Sequence, residues 1–320
     1  MIKLIFVIIA EIKLSKMPSR NNKYLITIVG PTAIGKTALS IQLANHFNTE
    51  IISCDSRQFF KEMKIGTAVP SDDELNAAKH HFIQNRSIFE DYNVGEFERN
   101  ALTKLDELFK TNNVVIMVGG SGLYVDAVIN GLDYFPNINP SIREKLNLEL
   151  KENGIESLQN QLKELDFETY QSIAIDNPHR IIRALEICIG TGKTYSSFKN
   201  KPKAPRNFTS IKIGLTADRQ LIYNRINQRV DIMIANGLLE EAKELYLNKE
   251  LNALQTVGYR ELFSFFDDEI SKEFAIEEIK KNTRRFAKRQ LTWFKKDENI
   301  TWFDFKTDVN SIVKSIETKL

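Results

Sequence analysis

Apolar residues run unbroken in a few short stretches and recur at three- and four-residue spacing in others. Tyr24-Leu-Ile-Thr-Ile-Val29 is a strand-like run ending in glycine. A tight turn with a second glycine follows, and Thr37-Ala-Leu-Ser-Ile-Gln-Leu-Ala44 then has helical spacing. Glu50-Ile-Ile-Ser-Cys54 predicts a second strand, stopped by the polar pair Asp55-Ser56. Over Phe97–Phe109 the residues Phe97, Ala101, Leu105 and Leu108 share one helical face, and Val114-Val-Ile-Met-Val118 is a near-continuous apolar strand closed by Gly119-Gly120. Strands alternating with helices predict an α/β fold whose parallel sheet is covered on both faces. In such a sheet functional groups gather at the carboxyl ends of the strands.

The pattern changes after Asn139. From Pro140 to about Glu168 the chain is charged and helical in period, with Ile142, Leu146, Leu150, Ile155, Leu158, Leu162 and Leu165 marking apolar faces. A helix over Pro178–Cys188 opens on proline and is expected to stop before Gly190. Thr191–Asn207, rich in Lys, Ser, Gly and Pro, is expected to be an exposed loop, and Ser210-Ile-Lys-Ile-Gly-Leu215 a return to the sheet. From Arg219 the chain is expected to be mainly helical. The organisation expected is a core of residues 21–139 and 208–320 interrupted by a helical insertion over 140–207, with an extension over 1–20.

Composition narrows the picture little. The 320 residues exceed what a single small domain needs and can bury a core unaided. Lys+Arg 44 against Asp+Glu 42 argues against non-specific electrostatic binding of nucleic acid as the whole function, without excluding a local basic face. Two cysteines, Cys54 and Cys188, and four histidines supply neither a disulfide scaffold nor a dense zinc site, which points to a reducing, cytoplasmic setting. By strand alternation Cys54 is expected to pack away from Asp55, and Cys188 is also expected in the core. No apolar run approaches membrane-spanning length. The start over Met1–Ala10 resembles the apolar part of a signal peptide. Its run is brief, however, and Glu11, Lys13 and Lys16 follow without a small-residue cleavage site. Residues 1–20 are therefore read as a disordered extension, with Met17 as an alternative start.

Chemistry enters with Gly30-Pro31-Thr32-Ala33-Ile34-Gly35-Lys36-Thr37, a G-x-x-x-x-G-K-T loop lying between a strand and a helix. Backbone N–H groups and the helix N-terminus surround phosphate oxygens, Lys36 adds a mobile charge, and the Thr37 hydroxyl can ligate Mg2+. The loop does not say whose phosphate it holds. An NTP hydrolase or a nucleotide or small-molecule kinase, binding ATP, is the default, and no second magnesium aspartate ends an apolar strand. Asp55 is the strong strand-end carboxylate, suited to a general base or to a metal, and local chemistry does not choose.

These residues, with Asp55-Ser56-Arg57-Gln58 and Ile65-Gly66-Thr67-Ala68, resemble the tRNA dimethylallyltransferase family. So do His80-His81-Phe82, Tyr92-Asn93-Val94-Gly95-Glu96-Phe97, Gly119-Gly120-Ser121-Gly122-Leu123-Tyr124 and Arg180-Ile-Ile-Arg183-Ala-Leu-Glu186. Val257-Gly258-Tyr259-Arg260 and the segment Arg284-Arg285-Phe286 to Trp293 complete an ordered set covering residues 24 to 296. The resemblance implies a P-loop NTPase-like core with a helical insertion. It implies transfer of a dimethylallyl group from dimethylallyl diphosphate to N6 of the adenosine adjacent to the anticodon, in tRNAs that read codons beginning with U. Asp55 then corresponds to the general base, Lys36, Arg225 and the P-loop to the diphosphate holders, with Arg229 as the alternative to Arg225, and Ser121 to a hydroxyl at the reaction centre. Phe59-Phe60 replaces a tyrosine-containing pattern, and Gly122 stands where many relatives are bulkier. The cofactor implied is Mg2+, and the partner is the tRNA anticodon stem-loop, met by a monomer that binds no membrane.

Residues assigned to tRNA by the same resemblance are Asp55, Ser56, Arg57, Gln58, Ser121, Arg143, His179, Arg180, Ile181, Ile182, Arg183, Gln255, Thr256, Val257, Gly258, Tyr259, Arg260, Arg284, Arg285, Lys288 and Arg289. From Lys280 to Lys296 there are eight Lys or Arg and no Asp or Glu. An amphipathic helix, packing by Ile279, Phe286, Gln290 and Trp293 and basic outside, explains that spacing and suits RNA phosphates. The bland alternatives stay open: Arg225 and Arg229 as salt-bridge partners, Arg143 and Arg180 as surface cations, and the phenylalanines as packing. Two other function classes also remain, the P-loop kinase and a non-catalytic RNA-binding module in which Asp55 is dispensable.

Overall fold

The computed structural model describes residues 23–320, so the extension expected over residues 1–20 lies outside the described residues. In chain order the elements are β1 (Tyr24–Val29), α1 (Lys36–His46), β2 (Ile51–Ser53), α2 (Asp72–Ala77), β3 (His80–His81), α3 (Val94–Leu108), β4 (Val114–Val118) and α4 (Gly122–Asn130). Next come α5 (Pro140–Leu165), α6 (Phe167–Ser172) and α7 (Pro178–Thr191). The chain then returns through β5 (Thr209–Thr216), α8 (Arg219–Ala235), α9 (Leu238–Leu245), α10 (Tyr259–Phe266), α11 (Lys272–Phe294), β6 (Ile300–Asp304) and α12 (Val309–Glu317).

The six strands form one parallel sheet in the order β3-β2-β4-β1-β5-β6. Successive residues of β1 point to opposite faces. Ile26 and Ile28 pack with Leu39 and Leu43 of α1 and Ile222 and Ile226 of α8. Leu25 and Val29 pack on the other face with Phe97, Ala101, Leu105 and Leu108 of α3. Cys54 lies in that second cluster beside Ile52, as alternation requires, and Phe59 stacks there on Phe97 at 5.2 Å. Each such fully buried large side chain contributes about 1.5–3 kcal/mol, so both covered faces hold the strand ends rigidly. The edge strand β6 falls in the stretch expected to be helical: Trp302 and Phe303 flank its core contacts, and five residues are too few to set a period.

The chain divides into two compact units, Gly131–Pro205 and the remainder. The smaller unit begins at Gly131, earlier in the chain than Pro140, and has its own core of Leu146, Leu158, Leu162, Ile181, Ile182 and Leu185. Gly154, at φ +75°, kinks α5, so the expected continuous helical stretch is two helices and then a third, α6, capped by Asp166. Helix α7 runs through Gly190 to Thr191 and ends at Gly192 with φ +67°. The expected stop before Gly190 is therefore two residues early, because Gly190 supplies a flat contact for Ile138 whereas Gly192 supplies the left-handed cap.

Candidate active site

Strands β2, β4 and β1 are neighbours, so the segments leaving their carboxyl ends meet. Cys54 N–H donates to Val118 O at 2.8 Å and Gly119 N–H to Ile28 O at 3.2 Å, carrying the ladder to the sheet's rim. Just beyond it stand Asp55, Ser121 and the P-loop. In that loop Gly30 has φ +146°, and a Cβ there would lie 2.6 Å from Leu215 O, so only glycine lets the loop start so close to β5. Gly35, at φ +109°, caps α1 without a side-chain acceptor, and no acidic residue occupies the helix's first turn. The first-turn N–H groups are thus left for an anion.

Three cations converge on this loop. Lys36 Nζ donates to Pro31 O at 2.8 Å, and burial lowers its pKa from 10.5 to about 8, against the opposing charge of Asp55. Arg225 Nε donates to Ala33 O at 2.7 Å and its guanidinium lies 5.4 Å from the Phe305 ring centre. This contact steadies Ala33, whose φ of +63° is unusual for a residue with a Cβ. Arg229 Nη1 reaches Thr32 Oγ1 at 3.5 Å, and burial, then the charge of Arg225, lowers its pKa. Arg229 lines a cavity of about 480 Å³ that Asp55, Ser56, Arg57, Ser121, Gln255, Arg260 and Arg289 also line. Within it, Asp55 Oδ1 accepts the Arg57 N–H at 3.1 Å. Ser121 Oγ accepts from Ser56 N at 3.1 Å and donates to Ser56 Oγ at 3.2 Å.

Not every expected contact residue faces this cavity. Gln58 turns its amide onto Thr67 O and Ala68 O at 3.2 and 2.8 Å. Tyr259 is fully buried and donates to Glu241 Oε1 at 2.6 Å, whereas Thr256, Val257 and Gly258 beside it do line the cavity. In the smaller unit Ile181 and Ile182 are core residues, at 0% and 3% exposure, so their side chains are unavailable to RNA. Arg143 and Arg183 both grip Glu186, at 2.7 and 2.8 Å; burial raises that carboxyl's pKa, but the two guanidiniums hold it below the usual range. His179 and Arg180 are exposed on the first turn of α7. On α11, Arg284 donates to Asn227 Oδ1 at 2.7 Å, while Arg285, Lys288 and Arg289 are exposed.

Sequence spacing misplaced two α11 residues and understated a third. Gln290 is not mere packing: it is buried, donates to Gly120 O at 2.9 Å and accepts from Thr32 N at 2.8 Å, pinning the P-loop to the end of β4. Phe286 and Trp293, expected on the packed face, are 39% and 41% exposed and line the cavity. An amide amid apolar positions was the signal for Gln290. For the aromatics there was none, because packing and cavity walls share one period. His80 and His81 form β3, with His81 Nε2 at 2.5 Å from Glu50 Oε2. Among the described residues no cluster of three His, Cys, Asp or Glu is placed to hold a metal.

A parallel sheet whose P-loop faces a strand-end carboxylate across one cavity defines a P-loop enzyme of the group-transferring kind. The IPP transferase family model matches residues 58–297. A tRNA dimethylallyltransferase of Flavobacterium psychrophilum is 66% identical over 303 residues, covering 93% of this chain and 99% of the relative. The solved tRNA isopentenylpyrophosphate transferase of Bacillus halodurans is 36% identical with a TM-score of 0.67, covering 92% and 95% of the two chains. A eukaryotic dimethylallyltransferase acting on tRNA superposes at TM-score 0.73 and 27% identity over 90% of this chain and 75% of its own. The chain belongs to the tRNA dimethylallyltransferase (IPP transferase) family.

Proposed function

We propose that the chain transfers the dimethylallyl group of dimethylallyl diphosphate to N6 of the adenosine adjacent to the anticodon, in tRNAs that read codons beginning with U. The observation that carries the roles of the residues is the convergence of Asp55, Ser121 and the P-loop cations at adjoining strand ends. The diphosphate lies on the P-loop amides and Lys36. Arg229, which faces the cavity, is its arginine contact, and Arg225, engaged with Ala33 O, holds the loop in shape. The diphosphate contact first expected of Arg225 thus passes to its alternative, Arg229. Adenine N6 is a weak nucleophile, so alignment with the allylic carbon dominates. The N6–C1 bond forms as the C1–O bond breaks, the electron pair departs on diphosphate, and Asp55 receives the N6 proton. Ser121, oriented by Ser56, contacts the base.

Magnesium fits the donor set. Thr37, the second residue of α1, would hold the ion through its hydroxyl at the mouth of the P-loop. When bound, it spreads the charge of the leaving diphosphate. On the larger unit the anticodon loop is met by exposed Arg285, Lys288 and Arg289, with Arg57, Gln255 and Arg260 at the cavity; the helical unit, by itself, offers exposed His179 and Arg180 to tRNA. We place the protein in the cytoplasm as a monomer; Cys54 and Cys188 are both free and buried, as a reducing compartment permits. No described helix is long and apolar enough to cross a membrane.

The test supplies unmodified tRNA, dimethylallyl diphosphate and magnesium, and reads nucleoside masses. One five-carbon unit on adenosine is expected. Asp55→Ala should lower kcat by roughly 10²–10⁴. No mass shift with the parent protein would overturn the reading, and phosphorylation of a small acceptor by ATP would favour the kinase instead.

A further inference from the structure

Trp293 borders two cavities, and among the described residues it is the one that lines both. The first is the reaction cavity of about 480 Å³. The second, of about 450 Å³, is lined in similar measure by the apolar Val29, Val125, Phe294 and Ile300 and by polar side chains, the Lys212–Asp297 ion pair among them. The pyrrole edge of the indole is held by one helix. Its Nε1–H donates to Asp126 Oδ2 at 3.0 Å, and its Cδ1 lies 2.3 Å from where a Cβ on Gly122 would stand. Gly122 and Asp126 are four apart on α4, so the helix offers a notch and an acceptor one turn apart. Burial does not account for this arrangement, since the ring remains 41% exposed.

Its location bears on the donor. Gly122 follows Ser121 directly. Gln290, one turn before Trp293 on α11, binds both the P-loop and Gly120. The indole therefore stands beside the place where an allylic chain leaves a diphosphate held on the P-loop.

We propose that Trp293, held by Gly122 and Asp126, is the partition that limits the donor to five carbons, and that removing the ring joins the cavities and admits a longer allylic diphosphate. This rests on the transfer reaction proposed above. The bond changes are the same for the longer donor: N6–C1 forms, C1–O breaks with its electron pair leaving on diphosphate, and Asp55 takes the proton. Trp293 acts by exclusion and not as a catalytic group.

The experiment gives the full-length parent, Trp293→Ala and Trp293→Leu unmodified tRNA with either dimethylallyl or geranyl diphosphate, and weighs the modified adenosine. The parent should add five carbons and discriminate against ten. If it adds nothing from dimethylallyl diphosphate, the reaction itself is misread, independently of the partition. In the variants the ratio of kcat/KM for the ten-carbon over the five-carbon donor should rise at least about tenfold, the scale on which apolar pockets discriminate. Trp293→Leu guards against misfolding of the alanine variant. Five-carbon transfer with an unchanged ratio would overturn the proposal. So would loss of both products in both variants, since the ring would then be a structural support.

Discussion

Lys36 must carry a charge to hold diphosphate, yet it sits where burial disfavours that charge. Its pKa of about 8 has a clear sign in kinetics: above pH 8 the free enzyme loses the cation. We expect kcat/KM for dimethylallyl diphosphate to fall about tenfold per pH unit above that point, and the fall to vanish in Lys36→Arg, whose guanidinium does not deprotonate. The sign in stability is opposite. Between pH 8 and 10.5 the unfolded chain binds more protons at this position than the folded chain, so this group's contribution makes the ligand-free fold more stable as pH rises through that window. Thermal melts of the parent and Lys36→Met across it should converge as pH increases. The motif made Lys36 legible from sequence. Its burial was not, because the neighbours Asp55, Arg229 and Cys54 come from other segments.

At the scale of elements, α11 ties the site together. Gln290 satisfies a P-loop N–H and a β4-end carbonyl at once, and Gln290→Ala would leave both without that partner. A loss of about 1–3 kcal/mol in urea unfolding is expected, with a raised KM for the allylic donor. Glu241 of α9 does comparable work on the other wall: its carboxylate accepts from Lys64, Ile65 and Gly66 N–H at 2.9, 2.7 and 2.9 Å and from the Tyr259 hydroxyl. Gly66 has no room for a side chain against the Tyr259 ring, so the two motifs pack directly on one another. Glu241→Ala should cost about 3 kcal/mol by denaturant titration. Hydrophobic spacing revealed the buried face of α3, Phe97, Ala101, Leu105 and Leu108, although the helix spans Val94–Leu108 and not Phe97–Phe109. It could not separate a helix face that packs from one that lines a cavity, which is why Phe286 and Trp293 were misplaced.

Across the whole molecule a net charge of +2 conceals an uneven distribution. On α11, Lys280 and Lys281 are paired with Asp231, Glu277 and Glu278, leaving Arg285, Lys288 and Arg289 as the exposed basic group. If these three meet tRNA phosphates, Arg285→Ala and Lys288→Ala should each weaken binding and reduce the slope of log affinity against log salt by about 1. Filter binding over a salt series measures it. An unchanged slope would place the tRNA elsewhere.

The sequence by itself determined the parallel α/β core, the phosphate loop, the strand-end carboxylate Asp55 and the family, because short-range periodicity and motif order are properties of the chain. Only the tertiary structure decided which cations remain free. Arg143 and Arg183 are engaged by Glu186, Arg225 by Ala33, and Arg229 is turned to the cavity. It also decided that Gln290 is a clasp and Trp293 a wall, and that Ile300–Asp304 completes the sheet. Such choices depend on partners tens to hundreds of residues away, and hydrogen-bond satisfaction and close packing select those partners only once the chain has folded.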